Sequence, residues 1–160
     1  MPLRSLRFIT LLLAALGLAM GAAHGLELVP KRHYDTRMYM DVTRSLYRYY
    51  GLIGGPVQVL AFGAASWLSF RLRRRPGFRL TAWGAGCLGL SLVLWAALVQ
   101  PVNAAWGEVL ATGTEAEALE SYARLRDRWE FGHLAAFLAW LAGFGLLLRS
   151  VSGEPAEAAP

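Results

Sequence analysis

The chain has 160 residues, of which 56% are hydrophobic and 17% charged, and its mean hydropathy is +0.37. A soluble domain carries about 25% charged residues, so this balance excludes an ordinary soluble enzyme and points to the lipid bilayer as the main partner. The net charge of +5 resides largely in arginines beside apolar runs, Arg71, Arg73, Arg74, Arg75 and Arg79, an arrangement that orients membrane proteins against anionic headgroups and speaks against nucleic acid.

A hydrocarbon core of about 30 Å needs about 20 mostly apolar residues per crossing. Four stretches qualify, at about 8–28, 51–70, 80–99 and 131–148. They predict an all-α fold: an integral membrane four-helix antiparallel bundle over 1–150, with an interfacial helix, an extended fourth helix and a flexible tail at 151–160. In the first stretch Arg4 and Arg7 precede the apolar core, and Gly21, Ala22 and Ala23 could form a signal-cleavage site. The run nevertheless continues to Leu28 and carries Gly17, Gly21 and Gly25 at a spacing of four. Such a ridge serves close helix packing, so a retained span is expected.

Residues 36–50, TRMYMDVTRSLYRYY, place Tyr39, Val42, Leu46 and Tyr50 on one helical stripe and Arg37, Asp41, Arg44 and Arg48 opposite, which predicts an interfacial helix. The short, charged 71–79 segment makes the second and third spans an antiparallel pair. Cys87 is alone, so no intramolecular disulfide can form, and it reads as a small buried hydrophobe. Gly84, Gly86 and Gly89 form a G-x-G-x-x-G string inside an apolar helix, where no phosphate could reach them. Before the fourth span Thr114 and Glu117 fit a capping box, opening a helix to about Arg149 that would be about 50 Å long, too long to lie wholly in the bilayer.

With four spans, the amino terminus, the 71–79 loop and the carboxyl tail hold eight Lys/Arg against two acids, Glu154 and Glu157, whereas the other side holds eight Lys/Arg against nine acids. The dense basic side should be cytoplasmic, which puts both termini of a multi-pass cell-membrane protein there. Trp83, Trp106 and Trp129 fall at expected headgroup levels and read as interfacial anchors. His33, in a basic loop, reads as solvated.

Ionisable groups in or at the edge of spans are costly and therefore candidates for function. His24 and Glu27 are three residues apart on the last turns of the first span; Glu130 and His133 are three apart on the first membrane turns of the fourth. Both pairs belong at the same, outer, end of the bundle, with Asn103, Tyr47, Tyr49 and Tyr50 at that level. Three readings remain open. The four groups form a hydrogen-bond and ion-pair network, with Glu27 or Glu130 paired to Arg126, Arg128 or Lys31; or they line a ligand-binding or catalytic pocket; or they hold one metal ion. No cofactor is expected, and a mononuclear metal at His24, Glu27, Glu130 and His133 is the exception left open. Two carboxylates are too few for a di-iron site of the usual four-carboxylate kind.

The succession HGLELVPK (24–31), LYRYYG (46–51), Pro101 to Asn103 with Trp106, and LRDRWEFGH (125–133) resembles a family of four-helix membrane proteins that includes the fungal anthrone oxygenases. The likeness spans nearly the whole chain in order. It departs at 111–121, ATGTEAEALES, where a second tryptophan and a proline would be expected. The resemblance implies an oxygenase-like enzyme acting on a lipophilic aromatic or quinol-like small molecule, in which an anthrone is oxidised to an anthraquinone by molecular oxygen. The residues it points to are His24, Glu27, Asn103, Arg126, Trp129, Glu130 and His133. His24, Glu27, Glu130 and His133 are the catalytic candidates, with a histidine as base and a glutamate orienting it. Asn103, Arg126, Trp129 and Tyr50 are the substrate-binding candidates. The alternative is a non-catalytic membrane protein whose polar cluster serves folding, assembly or ligand binding; homo-oligomers are compatible with both.

Overall fold

A computed structural model describes residues 1–152; most of the tail expected at 151–160 lies outside them, and the last helix includes Val151 and Ser152. Five helices account for nearly all of the described residues: α1 (Leu3–Arg32), α2 (Thr36–Ser45), α3 (Tyr47–Leu72), α4 (Phe78–Thr112) and α5 (Glu115–Ser152). All but α2 are long and apolar enough to cross a membrane. The chain is therefore an all-α bundle of the kind the hydropathy pattern requires.

Local chemistry explains the boundaries. Asp35 caps α2 by accepting from the Met38 amide at 2.8 Å. The box before α5 is complete: the Glu117 carboxylate accepts from the Thr114 amide at 2.6 Å, while the Thr114 hydroxyl accepts from the Glu117 amide at 3.3 Å. The turn from α3 to α4 closes through Gly77, whose φ of 85° suits a residue without a Cβ. At 38 residues α5 is about 57 Å long, so it projects beyond any hydrocarbon core.

Two helices run further than hydropathy alone implied, because each absorbs a proline through a widened π-helical turn. Such a turn at Tyr50–Gly54 precedes Pro56 in α3, and one at Trp95–Val99 precedes Pro101 in α4. Pro101 has no amide hydrogen to give the Ala97 carbonyl. Arg128 donates to that oxygen instead, at 3.2 Å. The helix that carries the third span thus continues past Val99 to Thr112.

Around the bundle α5 packs on α1 and α4, and α3 packs on the same two from the opposite corner. The closest approach is between α4 and α5. A Cβ on Gly143 would stand 2.9 Å from the Gly84 carbonyl oxygen, and one on Gly84 would stand 3.1 Å from the Gly143 oxygen. Ser91 also donates to the Ala136 carbonyl at 2.7 Å. Small residues that let backbones meet are the expected glue between helices in lipid. Gly143→Val should therefore lower stability by about 1–3 kcal/mol through overpacking. Gly86→Val, with nothing within 4 Å, should change little. Equal melting temperatures for the two variants in detergent would refute the contact.

The glycine ridge of α1 faces α5, with Gly17 against Trp140 and Gly21 and Gly25 against Phe137. Trp140 donates back to the Ala14 carbonyl at 2.9 Å. Large apolar side chains remain exposed on every long helix, among them Leu16, Leu60, Val93 and Leu141, as a lipid-facing surface requires.

Above the apolar core, α2, the end of α4 and the start of α5 build a second, aromatic core around Tyr39, Trp106, Tyr122 and Trp129. The Trp106 and Tyr122 rings stack at 4.0 Å. This corrects two expectations. Trp106 and Trp129 are buried, each 3% exposed, and are packing residues, not interfacial anchors; Trp83, at 70%, faces outward. The inward stripe of α2 is Tyr39, Met40 and Thr43, continued by Tyr47, while Leu46 is exposed. A break at Leu46 separates α2 from α3, so Tyr50 does not extend the α2 stripe.

Candidate functional site

A cavity of about 800 Å³ lies inside the upper half of the bundle, within the size range of small-molecule sites. Gly17 and Trp140 mark its inner end; Trp106 and Asn103 lie at its outer end. The first turns of α3 lean on α1 and share no packed interface with the end of α4. Leu52 and Val59 on one side and Gly107 and Leu110 on the other line the cavity while being exposed, so it opens sideways between α3 and α4.

His24 and His133 meet on its wall. Their rings stack at 4.1 Å with planes 26° apart, and Trp129 packs on both, at 5.2 Å from His24 and 4.1 Å from His133. The His24 ring also stacks on Tyr47 at 4.8 Å. His133 Nδ1 lies 2.9 Å from the Trp129 carbonyl oxygen. A carbonyl only accepts, so Nδ1 carries the hydrogen and the lone pair of the neutral ring is on Nε2. His24 is buried, and its Nδ1 has no hydrogen-bond partner. Trp129 itself is fixed by donating from Nε1 to Asn103 Oδ1 at 2.8 Å.

The two carboxylates are engaged elsewhere. Glu130 accepts from Lys31 Nζ and from the Tyr39 hydroxyl, both at 2.9 Å, in a buried ion pair. Burial, and then the Glu130 charge beside it, push the Tyr39 hydroxyl pKa upward, so Tyr39 remains a protonated donor. Glu27 accepts from the Tyr47 hydroxyl. Neither carboxylate lines the cavity, and neither orients a histidine, the role expected of them; the backbone of Trp129 does that for His133. Of the mononuclear set left open, Glu27 and Glu130 thus bond to Tyr47, Lys31 and Tyr39, apart from the stacked histidines. Among the described residues no three His, Cys, Asp or Glu side chains group to hold an ion.

Of the expected substrate contacts, Asn103, Trp129 and Tyr50 line the cavity and Arg126 does not. Arg126 donates to the carbonyls of Lys31 and Tyr34 and lies 4.2 Å over the Tyr39 ring. It thereby clamps the turn that follows α1, where the Lys31 oxygen also accepts from the Tyr34 amide. His33 is exposed, as expected of a solvated loop residue. Polar lining that sequence reasoning passed over includes Arg44, Arg48 and Gln58. The legible signal for Gln58 was its depth, an amide well inside the 51–70 span.

Comparison with protein-family models, with curated proteins and with solved structures finds no match.

Proposed function

We propose that the protein is a membrane-embedded, oxygenase-like enzyme for a lipophilic aromatic or quinol-like small molecule, of the anthrone-oxidising type. The observation that supports this most is the His24 and His133 stack on the wall of an apolar cavity, with Nε2 of His133 free to accept a proton. A base of this kind suits a substrate whose C–H is acidified by adjacent aromatic rings. Nε2 takes that proton, the Trp129 carbonyl steadies the resulting imidazolium, and the resonance-stabilised carbanion adds molecular oxygen to give a peroxide anion that takes the proton back from Nε2. The hydroperoxide then loses water to give the ketone, so one anthrone and one oxygen yield one anthraquinone and one water. Purified protein in lipid nanodiscs, given an anthrone, should consume oxygen and form anthraquinone in equal amounts above the spontaneous rate. A rate equal to that of empty nanodiscs overturns the proposal.

A second reading, a non-catalytic bundle whose polar cluster serves folding, draws on the carboxylates. Glu27 and Glu130 are paired within the protein, as structural groups would be. It accounts for them and not for the unpartnered His24.

The charge balance supports a topology in which both termini are cytoplasmic and the cavity belongs to the outer leaflet. A reporter fused after Pro160 should therefore read cytoplasmic and one inserted near Thr114 external. Two reporters on one side would break the four-span topology.

A further inference from the structure

Gln58 lies at the inner end of the cavity, near the middle of its span. Its Cγ would be 3.2 Å from a Cβ on Gly17, the glycine that also meets Trp140. It lines the cavity and makes no hydrogen bond or ion pair among the described residues. An amide offers two donors and an acceptor oxygen, and leaving them unused at hydrocarbon depth is costly, so a polar group held there without a partner within the protein marks a ligand contact. His24, about two helical turns further out on the same wall, holds another unpartnered atom in Nδ1. Between them the wall is apolar or aromatic, with Met20, Leu92 and Phe137. A ligand that satisfies this wall is lipophilic, with an oxygen function on the end that reaches Gln58.

We propose that Gln58 is the specificity-determining residue of the cavity: an aromatic ligand dissolved in the bilayer enters through the gap between α3 and α4, and the Gln58 amide hydrogen-bonds a carbonyl or hydroxyl oxygen on its leading edge. This rests on the cavity being a ligand site, as in the reading above, but not on its chemistry. The gap suits such entry because its lips, Leu52, Val59 and Leu110, are apolar and exposed where lipid would be. The route therefore needs no passage through water.

Anthracene and anthraquinone share one ring frame and differ in two carbonyl oxygens, so they test the proposal as binding probes. Trp95, Trp129 and Trp140 line the cavity, and quenching of their fluorescence reports occupancy in nanodiscs. The wild type should bind anthraquinone about tenfold more tightly than anthracene, the worth of one hydrogen bond to a group otherwise left unpaired. Gln58→Leu should abolish that preference while anthracene affinity is kept, which also shows that the variant is folded. Gly107→Trp, placed at the gap where an added Cβ meets nothing within 4 Å, should slow association of membrane-dissolved anthraquinone at least tenfold. Retained preference in Gln58→Leu, or no binding of either probe to the wild type, overturns the role of Gln58; unchanged association in Gly107→Trp overturns the route. The expected preference without any oxygen uptake from an anthrone would sink the enzymatic reading and leave this one standing.

Discussion

Lys31→Met should destabilise the protein by about 3–5 kcal/mol, the usual consequence of stripping one partner from a buried ion pair. Lys31 and Glu130 are joined at 2.9 Å with side chains only 3% and 6% exposed, so water does not replace the lost ammonium. The pair also ties the last turn of α1 to the outer part of α5, and the cation lies 4.9 Å from the Tyr47 ring and 5.2 Å from the Trp129 ring. Its loss would loosen the wall that carries His24. The double variant Lys31→Met, Glu130→Gln should recover most of the stability, because the uncompensated charge is then gone and the glutamine oxygen still accepts from Tyr39. Thermal unfolding in detergent measures both. A single variant within about 1 kcal/mol of the wild type would show that the carboxylate is not held in a dry pair.

His133→Ala should lower anthrone turnover by about 10²- to 10⁴-fold, the range of a lost general base, while the melting temperature moves little. The ring touches His24 and Trp129 but bonds only to the backbone of its own helix, so its removal breaks no interhelical hydrogen bond. His133→Gln is the sharper variant. It preserves a polar group of similar reach but cannot accept and hold the proton, and it should be as slow as alanine. Glu27→Gln should stay within a few-fold of the wild type, since Glu27 faces Tyr47 and not the cavity. If Glu27→Gln were as slow as His133→Ala, the carboxylate would have to act on the substrate or on a histidine, and the division between pocket and scaffold would be wrong. Turnover is followed as oxygen uptake matched to anthraquinone formation.

The amino-acid sequence by itself determined the elements. Four continuous apolar runs of about 20 residues are too long and too evenly apolar for membrane strands, so in lipid their backbone satisfies its polar groups as helices. Their depth alone also brought His24 and His133 to one end, because helices joined by short turns must alternate in direction. The capping box at Thr114 and the glycine ridge of α1 were legible for the same reason: each is a local rule of spacing. What only the tertiary structure decided is which polar group meets which. His24 and Glu27 are neighbours on a helix, as are Glu130 and His133, yet the histidines turn to the cavity and the carboxylates to Tyr47, Lys31 and Tyr39. Helical spacing places a side chain to within a face, whereas hydrogen-bond partners are set by what the neighbouring helices bring to that face. Trp106 and Trp129 went from expected anchors to buried core because α4 runs past Pro101, and a π turn with Arg128 serving the freed carbonyl is a tertiary solution that no periodicity encodes. The gap between α3 and α4, and with it the exposure of Gln58 to the cavity, likewise exists only once the helices are packed.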